Sequence, residues 1–255
     1  MELRTLRCVN KPLLGLFSRH YNSAILKKAV SSMKRIRLRD RQLPDYTKGE
    51  EIMNMVTHIV GGSLGVVVLT GCLIKACLYG GAMEIVCAII FGLSMIALYT
   101  ISSVYHGLHP NMGKRVLQVI DHCTIYFLIA GTYTPIVLCA LRPAYPALGW
   151  GLFGWQWGLG ILAAVLTAID LKKYNIFSMI CYIGMGWSIL PFFPQAMATL
   201  TAPGFWLVFA GGIAYTLGAV LYGLGSKMRW MHSVFHIFVV LGSILHSLAI
   251  FIYVF

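Results

Sequence analysis

Charged side chains are scarce in this sequence: Asp, Glu, Lys and Arg make up only 11% of its 255 residues. A soluble domain carries roughly 25% charged residues, so this chain lacks the polar surface that a water-soluble globule needs. Hydrophobic residues account for 58% of the chain instead. The composition therefore predicts an integral membrane protein whose main partner is the lipid bilayer.

Acidic residues are especially rare, with eight Asp and Glu against 20 Lys and Arg. Twelve of the basic residues lie before residue 50, and the others stand singly or in pairs between long apolar runs. No aromatic-rich basic sheet or DNA-reading motif accompanies the net charge of +12. The charge therefore indicates membrane orientation and contact with anionic lipid, and no nucleic acid is predicted as a partner.

Paired cysteines are absent as well. The seven cysteines include no CxxC motif and no regular spacing, and all but Cys8 lie in or beside apolar segments. A thiol in such surroundings behaves as a small hydrophobic side chain. The sequence therefore predicts neither a disulfide framework nor a cysteine-rich metal site.

Seven apolar windows are each long enough to cross a bilayer, whose hydrocarbon core of about 30 Å needs about 20 helical residues. Because backbone polar groups must be bonded internally in lipid, and the short alternating segments of a barrel are absent, these windows predict helices. We therefore expect an all-α, seven-transmembrane helix bundle. The windows cover about residues 53–74, 83–104, 117–140, 149–169, 176–197, 204–224 and 233–254.

The distribution of basic residues predicts the orientation of this bundle. With the N-terminus in the cytoplasm, eighteen of the 20 basic residues lie on the inner side, and only Lys75 and Arg142 lie outside. The positive-inside rule therefore favours a cytoplasmic N-terminus and an extracytoplasmic C-terminus. A transporter is disfavoured because no acid lies at mid-membrane and no pair of interrupted repeats is visible.

By composition the chain divides into a basic N-terminal cytoplasmic segment, residues 1–50, and one membrane domain, residues 51–255. The basic segment contains a weakly amphipathic stretch between Leu13 and Leu26. Three interpretations of it stay open: a basic tail that is solvated or lies on anionic lipid, an organelle transit peptide, and an extension upstream of a true start at Met33. The first is preferred.

Polar residues recur near one end of four predicted helices. Ionisable groups inside a bilayer are energetically costly, so each is a candidate functional residue. With the predicted topology, eight polar residues lie at one depth, just under the cytoplasmic face: Glu51, Asn54 and His58 on the first helix, Ser102 and His106 on the second, Asp121 on the third, and His232 and His236 on the seventh.

Three of these residues predict a zinc site. His232 and His236 are four residues apart, so both imidazoles project from one face of a helix. With His106 from another helix they match a catalytic zinc site, which uses three protein ligands and leaves a fourth position for water. Neutral imidazole suits zinc. An HxxxH pair alone is a weak signal, but Asp121 and Ser102 at the same predicted depth strengthen it.

The other residues of the cluster have supporting roles in this hypothesis. His58, together with Glu51 and Asn54, is interpreted as a group that packs against the ligands or orients them. His246 lies deeper in the last helix, away from the cluster, and is interpreted as structural.

The motifs stand in a recognisable order. Glu51-x-x-Asn54-x-x-x-His58 opens the first helix, and Ser102-x-x-x-His106 closes the second. Asp121 precedes an Ala-Gly-Thr-Tyr-Thr-Pro run that ends at Pro135, and His232-x-x-x-His236 opens the last helix. From about Tyr46 to its end, the chain resembles the hemolysin III family, the bacterial branch of the progestin and adipoQ receptor superfamily.

This resemblance implies a seven-helix bundle with a zinc ion near the cytoplasmic surface of the bacterial plasma (inner) membrane. His106, His232 and His236 match the family's zinc ligands. Asp121 matches the acid that holds the zinc-bound water, and Ser102 matches the neighbouring hydroxyl. Bacterial members are named for the lysis of red cells, and eukaryotic relatives include hormone receptors with a ceramidase-like activity.

Three functions follow as hypotheses. The preferred one is a zinc-dependent hydrolase that cleaves a lipid amide, because Asp121 could accept a proton from water and Ser102 could bond the developing oxyanion. The second is a membrane-perturbing cytolysin, which is disfavoured because no polar stripe repeats along the helices. The third is a receptor or scaffold in which zinc ties helices together.

Two GxxxG pairs, Gly61/Gly65 and Gly154/Gly158, lie within predicted helices. Such pairs allow helix backbones to approach closely. Close helix packing is therefore the predicted use of both pairs, and a lateral cavity is the alternative.

Overall fold

The computed structural model describes residues 36–225 and 228–255. The amphipathic stretch between Leu13 and Leu26, and with it the choice among the three interpretations of the basic segment, lies outside these residues. Within the described ranges every regular element is helical. Six helical stretches there are long and apolar enough to cross a membrane. The prediction of an all-helical membrane protein is thereby confirmed.

We number the helices in chain order. They are α1 (Lys48–Tyr79), α2 (Ala82–Gly107), α3 (Met112–Ala144), α4 (Pro146–Ile169), α5 (Asn175–Gly186), α6 (Phe193–Gly225) and α7 (Met231–Tyr253). A 3₁₀ turn at Leu38–Asp40 precedes α1, and another at Leu190–Phe192 links α5 to α6. Within α3 a π-helical turn follows Pro135, where the missing N–H of proline interrupts the regular hydrogen bonding.

The stretch Asn175–Gly225 counts as one of the six apolar stretches, but it is broken within α6. Thr201 has φ 60° and ψ 165°, which is not a helical conformation. Pro203 follows two residues later and removes a backbone donor at the same place. The break falls between two of the predicted windows, 176–197 and 204–224.

Side-chain contacts show that the chain turns back at this break. A straight helix would place residues 193 and 205 about 18 Å apart. The rings of Phe193 and Phe205 have centroids only 4.9 Å apart. Farther from the break, Trp187 Nε1 donates a hydrogen bond to Thr216 Oγ1 at 3.0 Å. The arms on either side of Thr201 are therefore antiparallel.

α3 is the central helix of the bundle. In its most apolar window 72% of the residues are buried inside the protein, against 28% in the corresponding window of α1. α3 packs against α2 and α4, and α7 packs against both α6 and α1. The side of α7 that faces α1 and α2 carries the candidate site residues of this helix.

One carboxylate joins the start of α1 to the start of α7. Glu50 forms a capping box with Thr47 at the beginning of α1. Its Oε1 also accepts a hydrogen bond from the backbone N–H of Trp230 at 2.7 Å, and its Oε2 lies 3.2 Å from Nη1 of Arg229. These bonds set the first turns of α1 beside the first turns of α7. The polar residues of both helices therefore meet at one end of the bundle.

The two GxxxG pairs have different surroundings. A Cβ atom added to Gly61 would lie 2.5 Å from the ring of Tyr99, and one added to Gly65 would lie 3.1 Å from Ile96, both on α2. In the described part of the chain, nothing lies within 4 Å of a Cβ added to Gly154 or Gly158. The prediction of close packing is correct for the first pair and wrong for the second.

Candidate metal centre

Three imidazoles converge where α2 ends and α7 begins. One ligand nitrogen from each of His106, His232 and His236 lies within 4.8 Å of the other two. The Nε2 atoms of His232 and His236 are 3.1 Å apart, as expected for residues four apart on one helix. Ligands at the tetrahedral corners around zinc are about 3.3 Å apart, since each Zn–N bond is about 2.0–2.1 Å. The pair on α7 already has that spacing.

Hydrogen bonds behind two of the rings determine which nitrogen faces the centre. His106 Nδ1 lies 2.6 Å from Oε2 of Glu51, and His236 Nδ1 lies 3.2 Å from the backbone carbonyl oxygen of Asn54. A carboxylate and a carbonyl accept, so each Nδ1 carries the proton and each Nε2 of the neutral ring keeps a lone pair. Metal-ligating histidines in proteins are oriented by the same kind of bond.

The donor set fits zinc. Among the described residues, Nε2 of His106 is buried and has no hydrogen-bond partner. His106 and His236 are only 3% and 1% exposed, and a buried nitrogen lone pair left without a partner is unusual. Three neutral imidazoles that leave one position open are the ligand set of many catalytic zinc sites. The cluster can therefore hold a divalent metal ion.

Asn54 on α1 contacts both helices that carry the imidazoles. Its Oδ1 accepts a hydrogen bond from Ser233 Oγ on α7 at 2.6 Å. Its Nδ2 lies 3.4 Å from Nδ1 of His106 on α2, a packing contact and not a hydrogen bond, because both nitrogens are donors. Its backbone carbonyl also holds His236, as described above. Asn54 is fully buried, so its two bonds to α7 are shielded from solvent and fix α7 against α1.

His58 lies one turn farther along α1 and packs face to face with a ligand. Its ring and that of His236 have centroids 3.7 Å apart and planes inclined by 12°. The rings of Tyr99 and His58 also meet nearly at right angles, with centroids 5.0 Å apart. Within the described ranges neither nitrogen of His58 has a hydrogen-bond partner. The structure therefore places His58 against a ligand ring rather than among the three converging nitrogens.

The carboxylate of Glu51 is shared between His106 and a buried lysine. Glu51 Oε1 lies 2.5 Å from Nζ of Lys114 on α3, and the same ammonium group donates to the carbonyl of Leu108 at 2.9 Å. The Lys114 side chain is only 4% exposed. Lys114, Glu51 and His106 thus form a continuous chain of charge-assisted hydrogen bonds.

Lys114 was not predicted as a site residue, because in the sequence it is one of the eighteen basic residues that indicate orientation. The available signal was its position seven residues before Asp121. That spacing puts both side chains on one face of α3.

Asp121 and Ser102 lie on the wall of a cavity of about 130 Å³. The Ser102 hydroxyl interacts with the Asp121 carboxyl group, and both residues line the cavity together with His232 and His236. Away from the imidazoles the walls are mainly apolar, with Leu98, Leu128 and Val239 among the lining side chains. The lining therefore combines the polar residues of the cluster with a mainly apolar wall.

Tyr46, in the segment that precedes α1, covers the imidazoles at the end of the bundle. Its ring stacks on His232 with centroids 4.9 Å apart and planes inclined by 19°, and it lies 5.9 Å from the ring of His106. Burial raises the pKa of Tyr46 well above its usual value, and the nearby groups Tyr222 and Glu51 add to this. The phenol therefore stays neutral around pH 7.

Two arginines hold the backbone of this segment. Arg115 Nε donates to the carbonyl of Arg41 at 3.0 Å, and Arg229 Nη1 lies 3.5 Å from the carbonyl oxygen of Asp45. Sequence reasoning assigned no role to Tyr46, because a residue outside a helix follows no periodic pattern that would reveal its neighbours.

Known proteins resemble this chain over most of its length. A sequence model of the family described as Haemolysin-III related matches residues 46–247. Hemolysin-3 of Bacillus cereus is 36% identical over 205 residues, covering 80% of this chain and 92% of the relative. The Hemolysin-3 homolog of Bacillus subtilis (strain 168) is 37% identical over 198 residues, which cover 78% of this chain and 91% of the relative. Monocyte to macrophage differentiation factor of Homo sapiens is 28% identical over 182 residues, which cover 68% of this chain and 72% of the relative.

Proposed function

Since this chain belongs to the haemolysin-III family, we propose that it is a seven-crossing membrane protein in which three histidines hold zinc for the hydrolysis of a lipid amide. The proposed ligands are His106, His232 and His236, whose ligand nitrogens lie within 4.8 Å of one another. The observation that carries the proposal is the orientation of His106 and His236 by hydrogen bonds on their Nδ1 atoms. That orientation leaves the Nε2 lone pair of each ring free to bind a metal ion.

The antiparallel arms around Thr201 support the count of seven. Residues 175–200 and 202–225 each exceed the roughly 20 residues that a crossing needs. With two crossings in this stretch the total becomes odd, so the termini lie on opposite sides of the membrane. The excess of basic residues supports a cytoplasmic N-terminus and, with it, a metal centre at the cytoplasmic face. The Bacillus relatives support the bacterial plasma membrane as the location.

The residues around the cavity have distinct roles in this proposal. When bound, zinc supplies a nucleophile from water at neutral pH and polarises the substrate carbonyl. Asp121 accepts the proton that water loses as its oxygen bonds to the carbonyl carbon, and returns it to the amine as the C–N bond breaks. Ser102 donates a hydrogen bond to the oxygen on which negative charge develops. The apolar walls hold the acyl chain and so position the amide.

Two residues of α1 keep the ligands in the required state. Glu51 holds the proton of His106 on Nδ1, and the carbonyl of Asn54 does the same for His236. Each bond keeps the other ring nitrogen free to bind metal. His58 supports His236 by stacking on its ring.

Metal analysis combined with a turnover assay tests the proposal. We expect purified wild-type protein to contain about one zinc ion per chain and His232→Ala to lose it, because two imidazoles remain of the three that such a site needs. Asp121→Asn should keep zinc but lose at least about 100-fold in lipid-amide turnover, the usual scale of general base catalysis. His109→Ala, at an exposed histidine, is the matched control. Wild-type protein without metal would contradict the proposal.

Structural zinc is the second candidate, and the position of Asn54 favours it. The ligands come from α2 and α7, so a bound ion would join these two helices, and Glu51 and Asn54 attach them in turn to α1. Under this alternative His236→Ala lowers the unfolding temperature, and the wild-type protein consumes no lipid amide.

The name of the Bacillus cereus relative, Hemolysin-3, favours a third candidate, a membrane-perturbing cytolysin. A cytolysin would lyse red cells whether or not the three histidines are present. Red-cell lysis by purified wild type and by the triple alanine variant separates this candidate from the other two.

A further inference from the structure

A fourth buried histidine lies at the far end of the same cavity. His246 lines the cavity and lies on α7 ten residues after His236, which corresponds to about 15 Å along the helix axis. Val239, seven residues before His246, also lines the cavity, and a spacing of seven puts both side chains on one face of the helix. One face of α7 therefore runs from the imidazole cluster to His246 along the cavity wall.

Its hydrogen bonding fixes the tautomer of His246. Nε2 lies 2.9 Å from the backbone carbonyl oxygen of Val208 on α6. A carbonyl can only accept, so Nε2 carries the proton and Nδ1 of the neutral ring is an acceptor. Among the described residues this buried Nδ1 has no partner. A buried acceptor without a partner is rare in native structures and calls for a specific explanation.

The neighbouring polar groups are already engaged. The ring of Tyr215 lies 5.3 Å from His246, but its hydroxyl is 2.7 Å from Ser243 Oγ. Tyr99 donates to the same oxygen at 2.6 Å. The Nε2 side of the imidazole is pressed against α6, where Gly211 leaves no room for a Cβ atom. The opposite side, which carries Nδ1, is therefore turned away from the α6 backbone.

We propose that His246 is a recognition residue whose Nδ1 accepts a hydrogen bond from a hydroxyl group on the chain of a bound lipid. The ligand class is a single-chain amphiphile with its polar head at the imidazole cluster and a hydroxyl about 15 Å farther along. Nδ1 is an acceptor and can only bond a donor. A lipid chain that carries a ketone oxygen in place of the hydroxyl therefore gains no binding free energy from His246. The placement of the head group rests on the proposed function, whereas the donor requirement rests on His246 alone.

Positional analogues of one fatty acid test this on the wild-type protein in lipid nanodiscs. Binding is measured as displacement of a fluorescent fatty acid by octadecanoic acid and by its 12-hydroxy, 12-oxo and 2-hydroxy derivatives. We expect the 12-hydroxy acid to bind about tenfold more tightly than the unsubstituted acid, the upper end for one neutral hydrogen bond. The 12-oxo and 2-hydroxy acids should show no such gain. Equal binding of the 12-hydroxy and 12-oxo acids would show that Nδ1 does not select a donor, and would overturn the proposal.

Two variants test whether the preference for the 12-hydroxy acid depends on His246. His246→Leu should abolish the preference for the 12-hydroxy acid, and His109→Leu, the same change at an exposed position, should retain it. A preference that survives in His246→Leu would overturn the proposal. If His246→Leu does not fold, the four acids on wild-type protein still decide the question.

The same titration on chelator-treated wild-type protein separates the two proposals. Loss of metal should weaken the binding of all four acids but leave their ratios unchanged. Absence of zinc with an intact 12-hydroxy preference would contradict the proposed function alone. Zinc and turnover without that preference would contradict the role of His246 alone.

Discussion

The helices α1 and α4 carry the same Gly-x-x-x-Gly spacing, yet only α1 uses it to approach a neighbour. Gly61 on α1 faces the ring of Tyr99, whereas Gly158 on α4 faces open space within the described part of the protein. The difference extends to the candidate metal centre, because Tyr99 contacts His58, and His58 stacks on His236. Close packing in α1 thus supports a proposed ligand, and the glycines of α4 have no such task.

The largest expected loss of stability and zinc affinity comes from a change that removes the partner of Glu51, a residue of α1. Lys114→Met leaves Glu51 without its buried cationic partner. Breaking one side of a buried ion pair should lower the free energy of unfolding by about 3 kcal/mol. Zinc affinity should fall about 10–100-fold, since Glu51 also orients His106. Thermal unfolding and chelator competition measure the two effects.

The control for this change is Lys172→Met, which removes an exposed ammonium group and should leave both quantities unchanged. A Lys114→Met protein that binds zinc as tightly as the wild type would show that the hydrogen-bonded chain from Lys114 to His106 does not support the ligand.

A smaller effect is expected from Gly61→Ala, which tests the close approach itself. The new Cβ would lie 2.5 Å from the ring of Tyr99, and that ring is fully buried. Overpacking of this kind typically costs about 1–3 kcal/mol. Because the displaced ring presses on His58, we also expect weaker zinc binding, measured by chelator competition on the folded variant. If the variant is less stable but binds zinc as tightly as the wild type, the packing of α1 against α2 does not support the ligand His236.

The smallest effect belongs to Gly158→Ala. An alanine has room at this position, and alanine is favoured over glycine within a helix by about 0.5–1 kcal/mol. The unfolding temperature should stay the same or rise slightly, with zinc affinity unchanged. A loss of stability comparable to that of Gly61→Ala would break the comparison, because it would reveal a partner packed against α4.

Local patterns predicted much of this molecule. The spacing of His232 and His236 predicts one face of one helix, and α7 bears this out with two Nε2 atoms 3.1 Å apart. The long apolar windows predict membrane helices, and the described helices agree. The order of the motifs predicts the hemolysin III family, which the family match confirms. Each of these signals is either periodic or carried by a short run of residues.

Other features depend on contacts between distant parts of the chain. The partner of Glu51 is Lys114, 63 residues away, and no local pattern connects the two. Gly61 and Gly158 have the same spacing to a second glycine, so only their neighbours in the folded protein distinguish them. The seven-helix count and the orientation stay predictions, supported by the reversal at Thr201 and by the distribution of charge.

The ring of Tyr46 lies flat against His232 and beside His106, at the end of the bundle where α1 begins. Arg115 and Arg229 hold the backbone near it. At the proposed zinc site, an ion that entered or left through this end would have to displace the ring, whereas the strength of its binding would depend on the imidazoles and the groups behind them. The speed of metal exchange and the affinity for metal would thus be controlled by different residues, and one could change while the other stayed constant.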